Sequence, residues 1–365
     1  MSNYYLILVW AAVAWIIGLC TKVQRTEYVC GEKVQRYYPL WAFLIYLPLV
    51  IWSGFRGYVG DTGAYMEMFQ EIPSGLRNIP SYMNTVDKDK GFYLFSAVIK
   101  NLISDNVNVY FIILALIQVA LLIKVYRKYS SNYIVTFFLF VASTDYISWM
   151  FNGIRQFTAV TITFFAFEYI LKKKYVPAVL IVLFAALFHG SALLVLPFIF
   201  IAQGQAWNKK TILFIIAVIV AVMFIGEFTD ILDTLLAETQ YKNVVSDWQE
   251  FQDDGTNIIR VLVYAIPSIL SLIGLKFIKY ADDPVINLCT NMSIVSVGCY
   301  VVSMFTSGIF IGRLPIYFSL YGYILLPWEI EHMFSEKSEK LIYIIMIVSY
   351  LGFYYYQIHL AWGMA

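Results

Sequence analysis

The sequence predicts an all-α integral membrane protein, a polytopic bundle of about 12 transmembrane helices. Of its 365 residues, 61% are hydrophobic and 13% are charged, whereas soluble domains carry about 25% charged residues. The mean hydropathy of +0.71 agrees with this class. The apolar runs are about 15 to 20 residues long, as expected for helices that satisfy their own backbone hydrogen bonds in lipid. We therefore expect one integral membrane domain over residues 1–365.

Clusters of lysine and arginine set the predicted orientation. They occupy the connections 21–38, 124–128, 172–174, 209–210, 276–279 and 337–340. By the positive-inside rule these connections are cytoplasmic, so the intervening ones lie outside. Both termini are then predicted to lie outside as well.

The predicted spans follow from the apolar runs between these connections. In chain order they are residues 3–20, 39–55, 107–123, 132–144, 154–171, 175–188, 190–202, 211–226, 258–275, 285–306, 313–330 and 341–357. The arms 175–188 and 190–202 are short for about 30 Å of hydrocarbon, so a re-entrant pair meeting at His189 is the alternative there. Segment 92–105 has apolar residues at helical spacing and includes Lys100, which predicts an amphipathic helix on the outer surface.

Two outer loops are long. Residues 56–106 form a loop with a glycine-rich start and the amphipathic helix, and residues 227–257 form a strongly acidic loop that we expect to fold as a small helical cap. The four cysteines show no metal-ligand spacing, so neither a disulfide nor a metal site is predicted. Nothing in the sequence indicates a cofactor or a nucleic-acid partner.

The segment Arg56–Tyr65, RGYVGDTGAY, is the first candidate for a site. It places an arginine and an aspartate directly after an uncharged membrane span, and its glycines, Gly60 among them, allow the backbone to approach a ligand closely. The segment therefore reads as a binding loop at a helix mouth. For Asp61 an alternative stays open, because an aspartate before Thr62 is also a good helix cap.

Three arginines on the predicted outer face stand in compact polar motifs. Arg56 begins RGYVGD, Arg155 lies in NGIRQ (Asn152–Gln156), and Arg313 lies in IGRLPIYF. A single arginine at a helix end is usually an interface anchor. Three that converge would need an anion, and the planar fork of arginine binds phosphate bidentately.

His189 stands in LFHGSALL at the predicted outer end of its segment, on the same face as Asp61. A lone histidine in an apolar run is often structural, but this placement favours a site. Tyr65 and Tyr317 lie within the motifs and are candidates for stacking on sugars. The charged run 87–90 reads instead as a solvated loop.

Four of these motifs, in this order, resemble the EpsG family of bacterial polysaccharide polymerases, which are Wzy-like. They are RGYVGDTGAY, NGIRQFTA, FHGSALLVLP and GRLPIYF. The resemblance covers most of the chain, from residue 52 to residue 318. Asp89–Phe92, which Lys90 interrupts, is only a loose fit to the acidic-Gly-Phe pattern of that family.

The resemblance implies an inverting glycosyltransferase of the C-type membrane class, at the outer face of the bacterial cytoplasmic membrane. It would transfer the growing chain from undecaprenyl diphosphate to a sugar hydroxyl on the next lipid-linked repeat unit, for an exopolysaccharide, capsule or O-antigen. The implied partners are the lipid-linked oligosaccharide donor and acceptor, membrane lipids, and a chain-length regulator and flippase.

The implied site combines an acceptor base with ligands for the diphosphate. Asp61 is the expected base and His189 the second candidate. Arg56, Arg155 and Arg313 are expected to hold the leaving diphosphate, so that no metal or cofactor is required. The remaining expected substrate-binding residues are Gly60, Tyr65, Asn152, Gln156 and Tyr317.

Two other functions stay open at this point. A flippase or transporter of lipid-linked oligosaccharides would also line a cavity with arginines, but at several depths and with inverted repeats, which we do not find. A membrane O-acyltransferase would pair a histidine with an Asn or Asp, as His189 and Asn152 could do. An enzyme of that kind that uses cytosolic acyl-CoA needs a site open to the inside, against the predicted orientation.

Overall fold

The computed structural model describes residues 2–21, 23–29, 32–235, 255–308 and 310–363. Of the described residues 78% are helical, so the all-α class is confirmed. In the described part of the chain, four helices are long and apolar enough to cross a membrane, Asn3–Cys20, Val107–Tyr129, Pro284–Met304 and Glu336–Ala361. Up to 7 spans result if each bent helix pair in the described residues counts as one. Each of the predicted spans contains helix, but the count of about 12 crossings stays a prediction.

The chain forms two compact units. The first comprises Met1–Leu193 and Ile344–Ala365, and the second comprises Leu194–Tyr343. Each unit has its own set of packed helices.

The first unit carries most of the motifs. In chain order its elements are α1 (Ser2–Cys20), β1 (Gln24–Val29), β2 (Glu32–Tyr37), α2 (Pro39–Gly54), α3 (Thr62–Glu71), α4 (Ile79–Asn84), α5 (Lys90–Leu102), α6 (Val107–Tyr129), α7 (Tyr133–Ala142), α8 (Asp145–Phe151), α9 (Ile154–Phe165), α10 (Phe167–Leu171) and α11 (Tyr175–Ala186). Helix α6 packs against α2 and α9, and α9 packs against α11. Aromatic rings fill the core, as where Tyr46 meets Phe137 at 4.7 Å and Phe140 stacks on Tyr146 at 5.3 Å.

Strands β1 and β2 pair as an antiparallel hairpin within the predicted cytoplasmic connection 21–38. The segment was expected only as a basic loop. Glu27 on β1 pairs with Arg25 at 2.6 Å and also with Arg127 at the end of α6. Burial raises the pKa of Glu27, but the two arginines outweigh it and hold the pKa below its usual value. The hairpin is therefore joined to the end of α6 by charge.

Helix α5 occupies most of the segment predicted to be amphipathic. Its buried residues are Phe92, Ser96, Ala97 and Ile99. Lys100 donates to the carbonyls of residues 69, 70 and 72 at 3.0, 2.6 and 2.6 Å. A lysine at this place satisfies the unpaired carbonyls that end α3. The amphipathic helix is thus fastened to α3.

The second unit is built around one buried helix. Its elements are α12 (Leu196–Ile201), α13 (Lys209–Met223), α14 (Ile225–Leu235), α15 (Ile258–Ile273), α16 (Leu275–Ala281), α17 (Pro284–Met304), α18 (Ile316–Ser319), α19 (Gly322–Met333) and α20 (Glu336–Tyr355), whose last part belongs to the first unit. Helix α17 packs against α13, α15 and α19. Ser296 and Ser319 are joined at 2.6 Å, so small polar residues allow close approach.

The predicted acidic cap over residues 227–257 lies mostly outside the described residues. Its first part is α14, which meets α13 at a bend of 99°. The re-entrant alternative at His189 concerns α11, the 3-10 turn Gly190–Val195 and α12, and His189 lies at the break between α11 and this turn.

Candidate functional site

The loop after α2 is locked to the loop before α9. The backbone N–H of Asp61 donates to Asn152 Oδ1 at 3.0 Å, and the N–H of Gly153 donates to Asp61 Oδ2 at 3.1 Å. Asn152 Nδ2 in turn donates to Ser148 Oγ at 3.1 Å. The motifs RGYVGDTGAY and NGIRQ, distant in sequence, therefore meet through reciprocal hydrogen bonds, which we call the Asp61–Asn152 clasp.

Gly60 makes the clasp possible. Its φ is +55°, in the left-handed region, and a Cβ placed on it would lie 1.4 Å from Asn152 Oδ1. Any side chain at position 60 would therefore occupy the position of the amide that accepts from Asp61. The sequence predicts that this glycine lies close to a ligand, whereas its neighbour in the structure is Asn152.

Asp61 precedes α3 at the N-cap position but makes no side-chain capping hydrogen bond to it. Its carboxylate accepts from Gly153 instead, and the residue is exposed. The alternative that Asp61 serves only as the cap of α3 does not describe this geometry. One carboxylate oxygen is fixed by a backbone donor while the group remains accessible.

Arg155, at the start of α9, pairs with Asp89, which precedes α5. Its Nη1 lies 2.8 Å from Asp89 Oδ2, and the two side chains are 28% and 11% exposed. The backbone N–H of Arg155 points to the Tyr65 hydroxyl at 3.5 Å, and the guanidinium lies 5.9 Å from the ring of Tyr93. Helix α3 and the start of α5 thus both contact Arg155.

Asp89 is the residue that sequence reasoning missed, because its charged surroundings resemble a solvated loop. Its φ of 52° is left-handed. Burial raises the pKa of Asp89, and Arg155 and the N–H of Gly190 reduce that rise. The loose fit of Asp89–Phe92 to the acidic-Gly-Phe pattern was the signal that could have found it.

The start of α5 is also fastened to the end of α11. Gly91 N donates to the Leu187 carbonyl at 2.8 Å, and a Cβ on Gly91 would lie 2.6 Å from Leu187 Cβ. Leu187 is two residues before His189. This contact brings the loop that carries Asp89 to the FHGS segment.

His189 and Gln156 meet at one hydroxyl. His189 Nδ1 lies 2.7 Å from Ser191 Oγ, and Gln156 Nε2 donates to the same oxygen at 3.3 Å. Gln156 is buried, with 3% exposure. The NGIRQ and FHGS motifs are therefore in contact through Ser191.

Arg56 points inward. It is 8% exposed, and its Nε and Nη1 donate to the carbonyls of Ser53 and Met150, each at 2.8 Å. Its guanidinium lies 3.8 Å from the centre of the Phe111 ring. Burial lowers the pKa of Arg56 to about 10, with Tyr110 acting in the opposite direction. Arg56 ties the end of α2 to the end of α8, directly before Asn152.

Arg313 and Tyr317 belong to the second unit. Arg313 is exposed in the 3-10 turn Ile311–Arg313, and Tyr317 is 2% exposed in α18. A Cβ on the neighbouring Gly312 would lie 2.7 Å from Thr256 Oγ1. The turn therefore packs tightly on the segment before α15.

Within the described ranges, no three His, Cys, Asp or Glu side chains are grouped to hold a metal ion.

Comparison with known proteins gives one match. The sequence model of the EpsG family matches residues 40–363, which is nearly the whole chain and includes all of the motifs above. No curated protein and no solved structure matches.

Proposed function

This chain belongs to the EpsG family, and from that premise we propose that it polymerises polyprenyl-diphosphate-linked oligosaccharide repeat units. The coarser assignment, a membrane protein of polysaccharide-polymerase type, follows from the family and the apolar helices. The finer assignment is an inverting glycosyltransferase that works at the outer face of the bacterial cytoplasmic membrane. It would use undecaprenyl diphosphate as the carrier for an exopolysaccharide, capsule or O-antigen.

One observation carries the proposal, the convergence of an exposed carboxylate and an arginine in the first unit. Asp61 is held through one oxygen by Gly153, and Arg155 stands two residues later at the start of α9. A hydroxyl acceptor needs a base, and a departing diphosphate needs a cation. The Asp61–Asn152 clasp holds the loop that carries Asp61 against the segment directly before α9, the helix that carries Arg155.

In the proposed reaction the acceptor hydroxyl oxygen attacks the anomeric carbon of the donor chain from the face opposite the diphosphate. A new C–O bond forms while the bond to the diphosphate oxygen breaks, and that oxygen leaves with the electron pair. Asp61 takes the hydroxyl proton. Arg155 stabilises the charge on the leaving undecaprenyl diphosphate, and Asp89 orients its guanidinium.

The other predicted residues take supporting roles. His189, held by Ser191, is the second candidate for the base. We propose that Arg56 acts as a positioning residue, because two of its donors are occupied by backbone carbonyls. Gln156 supports Ser191, and Tyr65 borders Arg155. Arg313 and Tyr317 remain proposed ligands of diphosphate and sugar.

The proposed topology keeps about 12 crossings, with the motif loops and both termini outside. It is supported by helix in each predicted span. It is also supported by the clusters of lysine and arginine, which lie in every second connection between the predicted spans. The proposed partners are the lipid-linked donor and acceptor, with a flippase that delivers them and a chain-length regulator.

The proposal is tested by the lipid-linked intermediates of a deletion strain that carries Arg155→Ala or, as a matched control, the exposed Arg77→Ala. We expect Arg155→Ala cells to export single repeat units on the lipid carrier without long polymer, and Arg77→Ala cells to make normal polymer. Normal polymer with Arg155→Ala would contradict the proposal. Intermediates retained on the inner face would favour a flippase, and polymer of normal length that lacks acyl groups would favour an acyltransferase.

A further inference from the structure

The first unit contains an apolar groove of about 450 Å³ between α5, α6, α9 and α11. Its walls include the side chains of Phe95, Ile117, Ile162, Leu180, Phe184 and Phe188. Thr158 also lines it, but its hydroxyl donates to the Ile154 carbonyl at 2.8 Å and accepts from Gln118 at 2.9 Å. Among the described residues, the walls of the groove are therefore almost entirely apolar.

The groove begins beside the polar cluster formed by Asp89, Arg155 and His189. Thr158 lies one helical turn after Arg155 on α9, and Phe188 directly precedes His189. Phe95 lies on α5, the helix that Asp89 precedes. Three of the four walls thus lead from the cluster into the groove.

The part of α9 that lines the groove runs from Thr158 to Phe165. At 1.5 Å per residue this is about 10 Å, close to a third of the roughly 30 Å hydrocarbon core. Phe95 and Phe188 approach each other at 5.9 Å, and Phe184 and Phe188 at 5.3 Å. Phe184 and Leu180 remain 52% and 59% exposed, so one side of the groove is open.

We propose that this groove binds the isoprenoid units nearest the phosphate of a polyprenyl phosphate or diphosphate, with that phosphate at Arg155. This rests on the proposed function, which makes such a lipid the carrier of the substrate. In a polyprenyl phosphate the apolar chain begins at the phosphate ester itself. That matches apolar walls which begin one turn below the arginine.

A glycerophospholipid fits the same place poorly. Glycerol and two ester groups separate its phosphate from its acyl chains, and these polar atoms would have to enter the apolar walls. Burying a polar group without a hydrogen bond is unfavourable. The groove therefore distinguishes a polyprenyl phosphate from a glycerophospholipid by how close the apolar chain begins to the phosphate.

The test uses the full chain, purified in detergent, with undecaprenyl phosphate as the probe and phosphatidylglycerol as competitor. Ile181→Trp fills the groove from α11, whereas Leu183→Trp adds the same ring on the same helix at a position that does not line it. We expect the first variant to weaken probe binding at least about tenfold and the second to leave it unchanged. Equal binding by both variants, or equal displacement by phosphatidylglycerol, would overturn the assignment.

A second measurement needs no variant. A photoreactive farnesyl phosphate is expected to label α9 and α11 of the wild-type chain between Arg155 and Phe188, and labelling confined to other helices would overturn the assignment. Labelling in the groove together with normal polymer in Arg155→Ala cells would reject the proposed function and leave the groove in place. Loss of polymer in those cells with labelling elsewhere would reject the groove alone.

Discussion

The substitution Gly60→Ala tests whether the Asp61–Asn152 clasp organises the site. Alanine at a φ of +55° costs about 1–2 kcal/mol in the left-handed region. Its Cβ would lie 1.4 Å from Asn152 Oδ1, so the amide must move and the hydrogen bond from Asp61 is lost, which costs about 0.5–1.5 kcal/mol. Together these amount to about 1.5–3.5 kcal/mol, which lowers the population of the loop conformation that forms the Asp61–Asn152 clasp by about 10- to 300-fold.

Gly57→Ala is the matched control, because a Cβ there meets nothing within 4 Å and its φ is not positive. The assay is polymer yield per molecule of membrane-inserted protein, together with the thermal unfolding of each purified variant. We expect Gly60→Ala to lose polymer and melt lower, and Gly57→Ala to behave as wild type. Wild-type polymer and melting with Gly60→Ala would refute the reasoning.

Three further predictions follow from the same geometry. Arg56→Lys should lower the melting temperature, because one ammonium cannot reach both the Ser53 and Met150 carbonyls as the guanidinium does, at a cost of about 1–3 kcal/mol; Arg77→Lys, on the surface, should not. Gly91→Ala should reduce polymer and melt lower, because its Cβ would lie 2.6 Å from Leu187; an unchanged melting temperature would contradict this contact. Burial raises the pKa of Asp89, so on acidification the pair with Arg155 is lost at a higher pH than for an ordinary aspartate, whose pKa is about 3.9. In a pH–activity profile, wild-type activity should therefore fall as the pH drops through the range in which Asp89 is protonated. The residual activity of Asp89→Asn should not fall in that range, and the same fall in the variant would contradict this role.

The sequence predicted the class of fold and the meeting of several motifs because composition and charge parity are global signals. Glycines in RGYVGDTGAY predicted close approach to a ligand, whereas Gly60 approaches Asn152 of the same chain. Contact of NGIRQ with FHGS is also found, through Ser191. These features depend on glycine and on polar residues within apolar runs, and such residues there mostly form turns or polar sites.

Other features depended on partners that no local pattern reveals. An arginine after a helix can turn outward or inward, and Arg56 turns inward because the end of α8 presents the Met150 carbonyl. The sequence around Asp89 is typical of a solvated loop, yet Asp89 forms an ion pair with Arg155, which is distant in sequence. The hairpin of β1 and β2 was not predicted, because its many charged residues are also typical of an irregular loop between membrane helices.

The most direct test of the central claim is polymerisation by the purified chain in proteoliposomes that contain only the lipid-linked repeat unit. We predict that wild-type protein elongates the lipid-linked chain with inversion at the anomeric carbon, and that Asp61→Asn at equal protein does not. The exposed Asp87→Asn should polymerise normally. Elongation by Asp61→Asn at the wild-type rate, or retention of the anomeric configuration, would contradict the account.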